Sequence, residues 1–320
     1  MAIPQQPGRF RVIDAFSRIV RLGEGLAGSG ELSAAAMDRA VEALKSCSDK
    51  LANREIKGTR LIATEACRQA ANGPEFLARV KEEAGLTLEV VDRETEARLA
   101  VAGCSSLVDR RSKGVVLFDI GGGSSELALL DLRKRKRHDL GPAMVSWTSL
   151  PVGVVTLSER HGGGKHVTRE IFDEMVADVG EMLQAFEGRE ALAKAAEEGE
   201  VHLLGTSGTV TTLAGIHLKL PRYDRRQVDG TWMADHQVET IINELVDMSF
   251  EERVQNPCIG QERADLVLAG CAILEAIRQL WPCPRLRVAD RGLREGLLTE
   301  MMNIDNAWVR RTYRQRNGRR

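Results

Sequence analysis

The sequence predicts an α/β fold of two lobes with a cleft between them, on three observations. Apolar strands alternate with amphipathic helices up to about residue 110. After Lys113 the order turns strand-rich before helices return. Two glycine turns, Asp119 to Gly123 and Gly205 to Thr209, each follow directly on an apolar strand, and in an α/β sheet such turns lie at the carboxyl edge where ligands bind.

Each element has its own signal. "FRVIDAFSRIVRLGEGL" reads as two strands, and Ser33 then caps a helix that runs to about Cys47. "TRLIATEACRQAAN" gives a strand at Leu61 to Ala63, Thr64 as cap, and a helix. "LTLEVVDRETEARLAVAG" is again strand, then Asp92 near the cap, then helix. The boundary falls near residue 110, so the first lobe takes 1–110 and the second starts at 111. In the second, "GVVLFDIGGGSSELALLDL" is strand, glycine turn and strand, and "HDLGPAMVSWTSLPVG" continues the strands. "REIFDEMVADVGEMLQAFE" is helical, and "VHLLGTSGTVTTLAGI" is strand, turn and helix. "RADLVLAGCAILEAIRQL" is a long helix, and "RLRVADRGLREGLL" supplies strand, turn and closing helix.

Composition narrows the function classes. With 43% hydrophobic and 28% charged residues the chain has ordinary globular composition, and no apolar run reaches the ~20 residues of a membrane span. "MAIPQQPGRF" has none of the parts of a signal peptide, so a cytosolic location and no membrane partner are expected. The six cysteines are too dispersed for a zinc pattern and read as buried thiols. A net charge of -1 argues against a general nucleic-acid binder. Two basic stretches stand out: RKRKR at Arg133 to Arg137, and residues 306–320 with six arginines and no acid. Both read as a solvated hairpin tip and a frayed end, or as steering patches for a polyanion.

Glycines beside Ser or Thr after a strand let consecutive backbone N–H groups converge on one anion, because glycine tolerates positive φ and close approach. The helix after Gly208 or Thr209 adds its positive N-terminal end. Phosphate is the expected guest. Asp119, at the strand end beside such a cradle, suits Mg²⁺ held through water. Glu126 lies seven residues on, where an outgoing hairpin strand returns alongside; it reads equally as an exposed strand residue. Glu94 and Glu96 sit where acids favour a helix start, and the pattern alone gives them no further role.

"VVLFDIGGGSSELALL", "LGTSGTVTTLAG", "ATEACRQAAN", "EVVDRETEARLAVAG" and "VADRGLREGLL" together resemble the successive motifs of the exopolyphosphatase and guanosine pentaphosphate phosphatase family, from about Phe10 to Met301. The resemblance implies two actin-like (ribonuclease H-like) lobes, with residues after about 292 packing back on the first. It implies hydrolysis of a terminal phosphoanhydride in polyphosphate or guanosine pentaphosphate. Glu96 matches the family's catalytic base, and Asp119 and Glu126 the carboxylates for Mg²⁺. Gly121, Gly122, Gly123 and Ser124 match one phosphate loop, and Gly205, Ser207, Gly208 and Thr209 the other. Arg68 matches an arginine that neutralises substrate charge, while Asp290 and Gly292 match the last cleft-edge motif. A homodimer is common in the family.

The resemblance also has a departure. The family opens with a strand, an Asp-Leu-Gly-Thr-Asn type loop and a second strand, and Met1-Ala2-Ile3-Pro4 looks like the tail of that second strand. A start at an internal methionine is the expected explanation. Without that loop the first lobe has an open sheet edge and one phosphate-facing loop fewer. The alternative to a Mg²⁺-dependent hydrolase is therefore a regulatory protein that binds polyphosphate or the alarmone without turnover. An ATP-using kinase or ATPase is disfavoured by "ETEARL". Substrate choice falls to the cleft and to "PRYDRRQVDGTWM" (221–233), which reads equally as a surface insertion.

Overall fold

The structure, a computed structural model, describes residues 1–6, 9–135, 140–305 and 307. The basic tail, Ala307 apart, and Lys136 and Arg137 of the RKRKR run lie outside the described residues. The chain forms two units, one from Met1–Ser106 with Leu293–Arg320 and one from Leu107–Gly292.

In the first unit β1 (Ala2–Gln6) pairs antiparallel with β2 (Arg9–Val12). A single turn, α1 (Leu26–Ser29), lies between Gly25 and Gly30, both left-handed. α2 (Ala34–Ala52) starts as expected at Ser33, whose hydroxyl accepts from the Ala36 amide at 3.2 Å, and it continues past Cys47. There follow β3 (Ile62–Ala63), α3 (Glu65–Gln69), α4 (Gly73–Ala84), β4 (Glu89–Val90) and α5 (Arg93–Cys104). Asp92 caps α5 by accepting from the Thr95 amide at 2.7 Å. β3 and β4 pair in parallel.

One expectation fails here. "FRVIDAFSRIVRLGEGL" does not give two strands: only Arg9–Val12 is extended and paired, and the chain then leaves the ladder. Val20 and Leu22, partly buried, pack instead against the core cluster that holds Leu26, Leu32, Met37 and Phe76, while Ile13 and Ile19 stay exposed.

The second unit is built on a sheet ordered β7-β6-β5-β8-β10-β9, with β5 (Gly114–Ile120), β6 (Ser125–Asp131), β7 (Met144–Leu150), β8 (Val201–Thr206), β9 (Trp232–Ala234) and β10 (Arg285–Ala289). β5, β8 and β10 run parallel to one another, while β6 returns antiparallel on β5. Its helices are α6 (Val154–Arg160), α7 (Arg169–Gln184), α8 (Ala193–Glu197), α9 (Gly208–His217), α10 (Arg225–Val228), α11 (Asp235–Asp247), α12 (Phe250–Gln255) and α13 (Val267–Leu280). Val116, Phe118, Leu127, Leu129, Leu203 and Val288 form one buried face of the sheet, packed with Met175 and Val179 of α7 and Leu274 of α13. That continuous apolar layer holds the strand ends in place. Five cysteines are buried, and burial pushes the thiols of Cys271 and Cys283 up to about 12, as inert core residues behave.

α14 (Leu293–Ile304) returns to the first unit and packs along α5. The approach is close because Gly296 has no side chain: a Cβ there would lie 1.9 Å from the Leu99 carbonyl oxygen. Arg98 of α5 reaches Glu300 of α14 and ties the two helices, and Arg60, just before β3, reaches the same Glu300. Among the described residues no helix is long and apolar enough to cross a membrane.

Candidate active site

The hairpin expected from "FDIGGGSSELALL" is present, and its register matters. Asp119 on β5 stands opposite Glu126 on β6 and, on its other side, opposite Thr206 on β8. Thr206 in turn stands opposite Ala289 of β10. Three parallel strands thus end level with one another, and both carboxylates lie in that row at the edge where α/β sheets place their ligands. Glu126 is not the exposed strand residue that its position equally allowed, being only 4% exposed. Its Oε1 accepts from the hydroxyls of Ser124 (2.7 Å) and Ser149 (2.9 Å), which fixes the carboxylate without neutralising it.

The first loop, Gly121 to Ser124, closes with the Gly121 amide donating to the Ser124 carbonyl at 2.9 Å. It is braced from behind by the start of α6, where the amides of Val154 and Val155 donate to the carbonyls of Gly121 and Gly122, each at 2.9 Å. Of the two uses expected of these glycines, positive φ and close approach, the first is absent, since none of Gly121, Gly122 and Gly123 is among the left-handed glycines, and the second is present at Gly121. What they supply is room: a Cβ on Gly121 would sit 2.9 Å from the Ser124 carbonyl oxygen, and one on Gly123 would meet nothing within 4 Å.

The second loop differs from its expected form in the same way. Gly205 lies inside β8 and makes space for Phe118, whose Cζ would be 2.5 Å from a Cβ there. The residue with φ +131° is Ser207, so the backbone strain sits on a non-glycine residue just before α9. Its buried hydroxyl has no hydrogen-bond partner. Gly208 and Thr209 open α9, whose first amides point back along the strand axis toward the loop.

Two further contacts stand beside the loops, of which Arg263 was not legible in the sequence and Gly292 was expected there from the last cleft-edge motif, in a structural or a functional role. Arg263 brings its guanidinium carbon within 3.6 Å of where a Gly208 side chain would begin, and it pairs with no carboxylate among the described residues. Gly292 lies beside the carboxylate row: a Cβ on it would be 3.6 Å from Asp119 Oδ2 and 3.1 Å from Thr206 Oγ1. Thr206 Oγ1 also donates to the Arg291 carbonyl at 2.8 Å, tying the "ADRG" turn to the second loop. Residues 221–233 are no loose insertion. Arg291 pairs with Asp229, the Asp290 amide donates to Asp229 at 3.1 Å, and Tyr223 and Arg225 both reach Asp290. The guanidinia of Arg285 (4.3 Å) and Arg287 (4.7 Å) both lie over the Trp232 ring.

The first unit holds the other pair of expected residues, Arg68 and Glu96. Arg68, which the resemblance assigns to substrate, has its guanidinium engaged by protein: Nη2 donates to Glu96 at 2.8 Å and to Glu65 at 2.6 Å, and Nη1 to the Val91 carbonyl at 2.5 Å. Glu96 is 13% exposed in its side chain, and burial raises its pKa above the usual carboxylate range against the pull of Arg68. Glu94, two residues earlier, is exposed. A buried carboxylate of raised pKa is suited to taking a proton near neutral pH.

Asp119 and Glu126 are the residues of this row that could hold a divalent cation. Among the described residues no three His, Cys, Asp or Glu side chains gather into a full protein cage. Two carboxylates on adjacent strands fit Mg²⁺, which is commonly held by one or two carboxylates with waters and substrate phosphates completing its shell.

The model of the Ppx/GppA phosphatase family matches residues 3–304. Among solved structures, a crystal structure of an exopolyphosphatase-like protein is 25% identical with TM-score 0.78, covering 90% of this chain and 91% of that one. The Aquifex aeolicus member of the Ppx/GppA family is 27% identical with TM-score 0.71, covering 93% and 92%. An exopolyphosphatase from Cytophaga hutchinsonii, at 23% identity and TM-score 0.77 over 89% and 87%, shares the fold. With an α/β fold and a family match that runs from the first strand to the last helix, this chain belongs to the Ppx/GppA phosphatase family, a family of phosphatase-type hydrolases.

Proposed function

We propose that the protein releases the terminal phosphate of inorganic polyphosphate or of guanosine pentaphosphate by attack of water, with Mg²⁺. Glu96 takes a proton from the water, the water oxygen bonds to the terminal phosphorus, and the bridging P–O bond breaks with its electron pair going to the remaining chain. The amides of Gly122 to Ser124 and of Gly208 and Thr209 hold phosphate oxygens, while the Gly121 amide closes the first loop, and α9 directs its positive end at them. Asp119 and Glu126 would hold Mg²⁺, which when bound offsets the charge that gathers on phosphate oxygens. Arg263 adds a fixed positive charge beside Gly208. Little covalent chemistry is asked of the protein in such a transfer, so position and charge carry the rate. A cytosolic place of action and a homodimer belong to the same proposal.

The observation that carries this reading is the row of Glu126, Asp119 and Thr206 at one sheet edge, with the Gly121–Ser124 turn and the Ser207–Gly208 start of α9 leading off the same strand ends. The experiment is Asp119→Asn. The Mg²⁺ concentration giving half-maximal phosphate release is expected to rise about tenfold or more, since one anionic ligand is lost. Titration calorimetry with Mg²⁺ is expected to show the same weakening. An unchanged Mg²⁺ dependence would remove Asp119 from the metal.

A further inference from the structure

Glu65, the first residue of α3, is 5% exposed and holds two guanidinia at once. Its Oε2 accepts from Nε (3.0 Å) and Nη2 (2.6 Å) of Arg68 and from Nε of Arg93 (3.1 Å). Its Oε1 accepts from Nη2 of Arg93 (2.5 Å) and from Gln69 (2.5 Å). The same Arg68 Nη2 that bonds Glu65 also bonds Glu96, and Arg68 Nη1 bonds the Val91 carbonyl just before the Asp92 cap of α5. One side chain therefore fixes the guanidinium that touches the proposed base.

We propose that Glu65 is a positioning residue for phosphate release: it clamps Arg68 edge-on so that a single Nη2 is shared between two carboxylates, and thereby holds Glu96 in place and keeps it basic. The inference rests on Glu96 as general base. A guanidinium devoted to Glu96 alone would pin that carboxylate as an ion pair and weaken it as a proton acceptor. Sharing Arg68 with a second anion divides that pull, and the charge of Glu65 itself makes ionisation of Glu96 less favourable. Glu65 does not compete as a base: burial would raise it, but the guanidinia of Arg93 and Arg68 outweigh burial and hold it below the usual carboxylate range. Two neighbouring carboxylates with their proton affinities driven apart is the arrangement that separates a base from its support. The charged groups around Glu96 are Arg68 and Glu65 from α3 and Arg93 from its own helix. α14, packed on α5, carries Glu295, which is buried, and Glu300, which pairs with Arg60 and Arg98.

The test is Glu65→Gln, which keeps size and removes charge, read as full pH profiles of kcat and kcat/KM for phosphate release from polyphosphate. With Glu65 neutral, Glu96 ionises more readily, so the acid limb is expected to move to lower pH while the plateau kcat falls about tenfold, as a weaker base gives. Glu65→Asp keeps the charge and withdraws the fork by one methylene; its acid limb is expected to stay in place while kcat falls. A folded Glu65→Gln protein with its acid limb unmoved and kcat within twofold of the parent overturns the proposal. If Glu65→Gln does not fold, as melting would show, Glu65→Asp decides, and an undiminished kcat there overturns it equally. Glu96→Gln separates the two readings. A strong loss there with no response at Glu65 removes only the clamp, whereas undiminished turnover in Glu96→Gln removes the base itself.

Discussion

Glu96→Gln is expected to lower phosphate release by ~10²–10⁴-fold, the usual weight of a positioned general base, with the fold intact. The glutamine keeps the shape of the side chain and an oxygen that Arg68 can reach at the 2.8 Å position, so the change removes proton acceptance and little else. Because burial already disfavours the charged form of Glu96, a neutral replacement leaves no additional desolvation cost in the folded state. The melting temperature is therefore expected to hold within a few degrees while kcat collapses. Steady-state phosphate release beside a thermal melt checks both halves. A rate within threefold of the parent would take the base assignment away from Glu96.

Gly153→Ala is the second large effect, and it acts through shape alone. Gly153 has extended backbone that any residue adopts, so conformational strain is not the issue. Space is: its Cβ would lie 2.4 Å from the Gly122 carbonyl oxygen and 2.5 Å from that of Gly121. Those are backbone atoms held by the Val154 and Val155 amides, and they cannot swing aside as a side chain could. Either the first loop or the start of α6 must shift by about an ångström, and a shift of that size at a phosphate cradle costs on the order of 10²-fold in rate. Overpacking of this kind also costs about 1–3 kcal/mol of stability, to be read from urea unfolding. Undiminished turnover in Gly153→Ala would show that the loop's geometry is not what the reaction uses.

The sequence announced the second unit far better than the first, for physical reasons. A continuous apolar run, three glycines and a second apolar run leave a buried hairpin as nearly the sole solution, and seven residues of separation place Glu126 opposite Asp119. Helix starts at Ser33 and Asp92 were legible because a cap is a local interaction. Phe16 to Val20 were misleading because apolar content does not reveal whether a segment will pair or pack. The glycines of both loops were legible as necessary, but which of their two uses applies was not: positive φ and close approach were both open, and close approach decides at Gly121 and Gly205. Arg263 and Arg93 were missed because each acts on a partner distant in sequence, and Glu65 because its i,i+3 pair with Arg68 reads as ordinary helix-surface pairing until Arg93 and Glu96 are seen to join it. The anchoring of residues 221–233 on Asp290 and Arg291 was hidden in the same way.

Terminal hydrolysis by an activated water is read most plainly by following polyphosphate of defined length with Mg²⁺ in ¹⁸O-labelled water. This chain is expected to shorten the polymer one phosphate at a time from an end, with ¹⁸O in each released phosphate and the signal lost in Glu96→Gln. Polyphosphate that binds but is not shortened, or phosphate released without the label, would contradict it.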